Sequence, residues 1–251
     1  SAAIHLAVSG FQVRILEKEA MIGGKLSERR QDGFRFDTGP SLITMPEVLH
    51  QLWETAELKP TERPELIPIN PICKYFFPDG IQFHAWHHPE DLQKEIQAIF
   101  PEDKDSIQKY LKYSETIYQL TADLFLFKSL HEIKTILNKN AFKTLFQFWK
   151  LDPFRTVHAA NQSFFRSKQL VQIFDRYATY NGSDPYQAPA TLNVIPHVEY
   201  TMGSYYLKGG LYRLADSMRS MLAKWNVTIE FNTQSTKILH QNKQITGVQT
   251  T

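Results

Sequence analysis

The sequence predicts an α/β domain interrupted by a second, largely helical α+β domain. Two observations predict it. Short apolar strands alternate with helical patterns at both ends of the chain, over residues 1–45 and 201–251. Between them, over 46–200, helical periodicity dominates and a single strong hairpin signal occurs. The two ends are therefore expected to form one domain, with 46–200 inserted into it.

The elements follow in order. Ala2 with Leu6 and Ala3 with Ala7 give apolar i, i+4 pairs, and Gly10 stands where a helix-ending glycine belongs. That helix begins at residue 1 with no cap of its own, so the sequence is expected to continue upstream of Ser1. Residues 12–16 read as a strand, 22–30 as a loop or short helix, and 34–36 as a strand. Val48, Leu49, Leu52, Trp53 and Ala56 place a helix over 46–57, and the proline-rich stretch 61–71 reads as irregular. Strands 73–77 and 81–86 flank Pro78-Asp79-Gly80, a turn signal, and so predict a hairpin. Helices are expected over 89–100, 103–126, 130–150 and 169–180, the last ended by Asn181-Gly182. Pro185, Pro189 and Pro196 break the next stretch. A short strand over 205–207, the pair Gly209-Gly210, a helix over 211–225 and strands over 227–231, 235–239 and 244–250 complete the chain.

Composition narrows the function classes. The chain has 251 residues, 42% hydrophobic and 22% charged, a balance that folds into one large or two ordinary domains. A net charge of +2 gives no electrostatic case for nucleic acid. Cys73 is the only cysteine, which excludes an internal disulfide and fits a reducing, cytoplasmic setting. No apolar run reaches the roughly 18 residues that a membrane-spanning helix needs. No signal peptide is visible.

Chemistry concentrates between Val13 and Pro40. Glu17 closes the 12–16 strand. An acid at the end of the second strand of a βαβ unit accepts hydrogen bonds from the two ribose hydroxyls of a dinucleotide. The glycine turn that holds the pyrophosphate lies about 20 residues before such an acid, here upstream of Ser1. The plain alternative is a solvated acid beside Lys18. Gly23-Gly24 offers two bare backbones for close approach to a phosphate, or simply a tight loop. Lys25 or Arg29 could offset phosphate charge, or serve as surface cations. Asp37-Thr38-Gly39-Pro40 stops the next strand with a flexible and then a rigid residue, which suits a fixed loop beside a flat ring system; alone, it is only a turn.

These blocks recur together. Leu16-Glu17-Lys18, Gly23-Gly24-Lys25, the run from Gly33 to Pro40, the run from Tyr177 to Ala190, and Tyr206-Leu207-Lys208-Gly209-Gly210-Leu211-Tyr212 appear in that order. In this the chain resembles the bacterial phytoene desaturase family of carotenoid desaturases, FAD-dependent flavoproteins related to amine oxidases. The resemblance runs from end to end of the chain and covers the N-terminal half of such an enzyme. It implies an FAD-binding Rossmann-like domain of the glutathione reductase and amine oxidase type, with an inserted substrate domain. Glu17 would bind the adenosine ribose, Gly23, Gly24 and Lys25 would form the loop beside the pyrophosphate, and Gly39, Pro40 and Ser41 would lie near the flavin. Ser235 stands where the family has a valine whose backbone contacts adenine, an exchange that a main-chain contact tolerates. Lys25 replaces the commoner arginine. Within the family, Phe36 to Leu42, Tyr75 to Gly80 and Tyr177 to Tyr180 look most like the 1-hydroxycarotenoid 3,4-desaturases. The implied partners are a polyene substrate and a membrane surface, with no catalytic residue assigned. Implied too is that the chain is truncated at both ends and by itself retains little flavin.

Other constellations weigh less. His84, His87 and His88 lack a carboxylate or cysteine partner at ligand spacing, so no metal is expected. Ser183 and Ser204 lack the context of a nucleophile elbow. Phe142, Phe146, Phe148, Phe154, Phe164 and Phe165 fit a core, a polyene tunnel or a membrane-facing patch; Lys128, Lys134, Lys139, Lys143 and Lys150 between them suit an anionic membrane surface.

Overall fold

In a computed structural model, which describes residues 1–122 and 147–251, the chain opens with helix α1 (Ala2–Val8). Gly10, at φ +88°, ends it, and the Phe11 N–H returns to the Leu6 carbonyl at 3.1 Å. Strands β1 (Arg14–Leu16), β2 (Glu28–Gln31) and β3 (Phe34–Asp37) follow, then helix α2 (Pro46–Thr55) and strand β4 (Leu66–Pro68). The hairpin β5 (Cys73–Phe76) and β6 (Gln82–Ala85) leads to α3 (Pro89–Ile99) and α4 (Ser106–Thr121). After the described chain resumes come α5 (Val157–Phe164), α6 (Lys168–Asp175), a 3-10 turn over Arg176–Asn181, and α7 (Val194–Thr201). Strand β7 (Tyr205–Leu207), helix α8 (Arg213–Lys224) and strands β8 (Thr228–Glu230), β9 (Ser235–Gln241) and β10 (Gln244–Thr250) close the chain.

Two units result: Ser1–Pro68 with Tyr205–Thr251, and Ile69–Ser204. The second unit spans 69–204, where the sequence reading placed an insertion over 46–200. The reason is packing. Leu52, Trp53 and Ala56 of α2 and its C-terminus are buried with Ile4 and Ala7 of α1 and Met221 and Leu222 of α8, so α2 belongs to the first unit. In that unit β1 and β8 pair in parallel, Arg14 opposite Thr228, Ile15 opposite Ile229 and Leu16 opposite Glu230. The hairpins β2–β3 and β9–β10 and the pair β4–β7 are antiparallel. In the second unit Tyr110, Phe165, Phe174 and Tyr177 are buried, with Tyr110 and Phe174 rings 4.4 Å apart. The Ile69 N–H donates to the Ser204 carbonyl at 2.8 Å, so that unit begins and ends at one point.

Several elements differ from expectation. Residues 22–30 were expected as loop or helix, yet 28–31 form β2. Its sequence, Glu-Arg-Arg-Gln, has no apolar face to announce it; it pairs with β3 across Asp32-Gly33, whose φ values of 51° and 79° give the two-residue turn that strand twist favours. The stretch 61–71 contains β4, three residues ending on Pro68. Pro196 does not break a helix: it occupies the first turn of α7, where its missing N–H costs nothing. The 169–180 helix ends at Asp175 and continues as a 3-10 turn closed by Gly182 at φ 67°. Residues 123–146 of the expected 103–126 and 130–150 helices lie outside the described residues, and Phe148–Leu151 is a 3-10 turn. Phe142 and Phe146 also lie outside; Phe165 is buried, while Phe148 and Phe154 are exposed. Among the described residues, no helix is long and apolar enough to cross a membrane.

Candidate functional site

Glu17 follows β1 directly. Its N–H extends the strand ladder to the Glu230 carbonyl at 2.8 Å, and its own carbonyl accepts the Thr233 N–H at 2.9 Å. Oε1 accepts the Glu19 N–H at 3.0 Å, and Oε2 takes no bond from a described residue. The Thr233 contact brings the segment entering β9 beside Glu17. Ser235 opens β9 opposite Thr250 and is exposed. Ser235 stands two residues beyond that contact.

A second group forms from loops 22–27 and 37–41. The Leu26 N–H closes a turn on the Gly23 carbonyl at 2.9 Å. Gly39 then presses on that turn: a Cβ on Gly39 would lie 1.8 Å from the Lys25 carbonyl oxygen. Only glycine allows this approach. The Thr38 N–H bonds to the Ser27 carbonyl at 3.0 Å, and the two hydroxyls meet at 2.9 Å. So the Lys25 backbone stands against Gly39, with Pro40 and Ser41 exposed just beyond.

Sequence reasoning missed what fixes these loops. Asp37 Oδ1 accepts from Arg35 at 2.7 Å and from the Leu211 N–H at 3.1 Å, and Oδ2 accepts from the Tyr206 hydroxyl at 2.5 Å. Arg35 also donates to the Tyr206 oxygen at 3.0 Å. Burial opposes ionisation of Asp37, but the bonds from Tyr206, Arg35 and the Leu211 N–H outweigh it and hold the carboxyl below its usual range. Gly210, at φ +111°, completes the lock: a Cβ there would fall 2.0 Å from Arg35 Nη1. Tyr212 donates to the Ile22 carbonyl at 3.0 Å, tying the start of α8 to the glycine turn. All these residues but Ile22 stood within the blocks read from the sequence; their pairing was not read from it.

The chain's own groups fit a dinucleotide. Gly24, at φ +55°, presents bare backbone to open space, with nothing within 4 Å of where a Cβ would sit. Lys25 and Arg29 are exposed and have no carboxylate partner among the described residues. Glu17 keeps one carboxylate oxygen unspent. His84 of the second unit serves structure: Glu95 accepts from His84 Nδ1 at 2.9 Å and from Trp86 Nε1 at 3.2 Å. Among the described residues, no group of three or more His, Cys, Asp or Glu is placed to hold a metal.

Known proteins resemble this chain along its length. The profile of the flavin containing amine oxidoreductases matches residues 1–251. A 1-hydroxycarotenoid 3,4-desaturase of a Flavobacterium species is 38% identical over 100% of this chain and 51% of its own length. A 4,4'-diapolycopene oxygenase of a Methylomonas species is 31% identical over 99% of the chain and 50% of its own. The chain thus spans about half the length of these relatives. Among solved structures, an oxidoreductase from Methanosarcina mazei superimposes with a TM-score of 0.58 at 13% identity, covering 99% of this chain and 52% of that one. Cyclohexylamine oxidase from Brevibacterium oxydans does so with 0.54 at 15%, covering 91% and 48%. The flavin named by the matching profile is the kind of cofactor expected from the sequence, FAD. A glycine turn, a strand-end acid and a polar lock thus sit on a chain matched along its whole length, and the chain belongs to the flavin-containing amine oxidoreductase family.

Proposed function

We propose that the chain forms the FAD-holding part, and a portion of the substrate-binding part, of a carotenoid desaturase. The reaction removes two hydrogens from adjacent carbons of a polyene, at the 3,4 position of a 1-hydroxycarotenoid: two C–H bonds break and one C=C bond forms. The observation that carries this reading is the 38% identity to a 1-hydroxycarotenoid 3,4-desaturase along the entire chain. Identity confined to the first unit would support only a shared cofactor.

When bound, the flavin supplies the two-electron acceptor for the hydrogens removed. The chain's residues bind and orient. Glu17 accepts from ribose hydroxyls with its free oxygen. The backbone at Gly23 and Gly24 and the cations Lys25 and Arg29 take the pyrophosphate charge. The Arg35–Asp37–Tyr206–Leu211 network holds the 37–41 and 209–211 loops in one arrangement. Charge left on a polyene is delocalised, so the reaction does not require a strong base from the protein.

A polyene is insoluble in water and enters from lipid. Phe154, 87% exposed, and Trp149, 68% exposed, stand beside Phe148 and Lys150 and support peripheral contact with an anionic membrane.

The test is expression of the full reading frame in a host that accumulates 1-hydroxylated carotenoids. The expected product is lighter by two hydrogens, with absorption at longer wavelength. Unchanged pigment, together with oxidation of a soluble amine by the purified flavoprotein, would overturn the reading.

A further inference from the structure

A groove of about 810 Å³ runs between α5 and α6. His158, near the start of α5, and Asp175, the last residue of α6, meet at one end of it, with His158 Nδ1 2.6 Å from Asp175 Oδ2. Oδ1 of the same carboxylate accepts from Asn161 Nδ2 at 2.8 Å. Asn161 is 0% and Asp175 7% exposed, so the imidazole is held from the interior outward. Asp175 accepts the bond from Nδ1, which leaves Nε2 as the ring nitrogen with no bond to a described residue. The Tyr186 ring, 63% exposed, lies 4.3 Å from that of His158 and borders the groove at the same end.

The other end carries positive charge. Lys168 opens α6, so at about 1.5 Å per residue it stands about 10 Å along the helix from Asp175. Arg166 lies in the turn just before it. Both line the groove, both are exposed, and neither has a carboxylate partner among the described residues. Asp103, 0% exposed, is spent on the N–H groups of Arg166 and Ser167, each at 2.8 Å, and so fixes the turn that carries the two cations. Between the ends, Gln162 and Gln172 line the groove together with the buried Phe165 and Val171.

A staple between α5 and α6 would account for the bond from His158 to Asp175. It does not call for a carboxylate: burying one is costly, and apolar side chains of similar size join two helices at least as well. An imidazole oriented by a buried acid, at the edge of an open cavity, has a ring nitrogen set for a bound molecule. The groove also sorts its chemistry by position. Two cations with no acid beside them suit a dianion, and a phosphate monoester carries about −1.5 to −2 charge at pH 7. The amides of Gln162 and Gln172 both donate and accept, as sugar hydroxyls do. A flat ring with polar edges matches the Tyr186 face and His158 Nε2. An apolar tail would instead strip water from two amides and an imidazole and give no bond in return. A metal ion would find both Asp175 oxygens already spent.

We propose that this groove binds a nucleoside monophosphate, with the phosphate on Arg166 and Lys168, the sugar beside Gln162 and Gln172, and the base on Tyr186 with an edge toward His158 Nε2. Every residue of the site belongs to the unit Ile69–Ser204. The assignment does not depend on the polyene reading.

The test uses the holoenzyme with its flavin bound, so that titration reports a further site. Calorimetry compares the 5′-monophosphates of adenosine, guanosine, cytidine and uridine with ribose 5-phosphate, which lacks the base, and with the four nucleosides, which lack the phosphate. At least one monophosphate is expected to bind about tenfold or more tighter than either of its parts. Arg166→Gln combined with Lys168→Gln should bring that monophosphate down to the level of its nucleoside, and the wild-type margin should shrink as salt rises. Tyr186→Ala should bring it down to the level of ribose 5-phosphate. These three side chains are exposed, so the melting temperature is expected to stay unchanged and to show that the variants fold. His158→Gln should narrow the differences among the four bases. Monophosphates that bind no tighter than ribose 5-phosphate overturn the assignment, as does a wild type that binds none of them. An affinity unchanged in the folded Arg166→Gln, Lys168→Gln protein puts the nucleotide elsewhere and overturns it equally.

Discussion

Gly39→Ala tests the contact on which the candidate cofactor loops depend. The new Cβ would fall 1.8 Å from the Lys25 carbonyl oxygen and 2.9 Å from its carbon, both backbone atoms that no rotamer change can move. Restoring an ordinary contact of 3.4 Å requires the two loops to part by about 1.6 Å. Overpacking of this kind costs about 1–3 kcal/mol. Parting the loops also strains the two Ser27–Thr38 hydrogen bonds, worth about 0.5–1.5 kcal/mol each. A total of about 2 kcal/mol or more follows, and if the closed arrangement is the one that binds flavin, affinity falls about thirtyfold or more. The assay is flavin retained after desalting, followed by a fluorescence titration of the apoprotein. Gly33→Ala is the control: at φ +79° in an exposed turn it meets nothing within 4 Å, so it carries only the left-handed penalty of about 1–2 kcal/mol in stability and leaves flavin affinity alone. Equal flavin affinity in Gly39→Ala and wild type would refute the reasoning.

Three further outcomes are expected. Glu17→Arg removes charge-assisted bonds worth about 1.5–3 kcal/mol each, so flavin affinity should drop tenfold or more in titration; an unchanged value removes the ribose assignment. Asp37 has its carboxyl held below the usual range, so its contribution is fully present above the unfolded value of about 3.9 and is lost as pH falls through the lower folded value. The difference in denaturation midpoint between wild type and Asp37→Asn should therefore shrink on acidification below about pH 4, and a difference that grows would contradict the network. Flotation with anionic vesicles should carry the protein up at low salt and less at high salt, with Trp149→Asp and Phe154→Asp lowering the bound fraction severalfold; wild-type protein that never floats counts against the membrane contact.

The legible parts of the sequence were those whose signal is local. Gly10, the Pro78-Asp79-Gly80 turn and the α8 periodicity each carry their own information within a few residues, and each element appears where expected. Glu17, Gly23, Gly24 and Gly39 stood out by residue type, but an acid at a strand end and bare backbone in a turn have plain structural uses too, so type alone gave them no role. The unread parts were of two kinds. Strand β2 has a wholly polar sequence, and only the Asp32-Gly33 turn pointed to it. The Asp37 network joins Arg35 to Tyr206 and Asp37 to Leu211, partners 171 and 174 positions apart, and no periodicity reports a pairing across an inserted domain. The ion pair of Arg176 with the buried Glu199, 3.2 Å apart, was hidden for the same reason: a charged residue just before a recognisable block looks like any surface cation until its partner is placed.

The bond between the Ile69 N–H and the Ser204 carbonyl also bears on the order in which the chain can fold. Synthesis delivers residues 1–68 first, but β1 has no β8 and Asp37 no Tyr206 until the far end of the chain emerges. Closing so long a loop before any contact rewards it is slow. The unit Ile69–Ser204 is complete earlier and has its own aromatic core, so it can fold while the rest waits. Once it does, its two ends are joined at 2.8 Å, and the residues that flank it, before Ile69 and after Ser204, are delivered side by side as β4 and β7. The folded insertion thus turns a remote chain closure into a local one, and substitutions deep in its core should delay flavin uptake during refolding even when the final holoenzyme is unchanged.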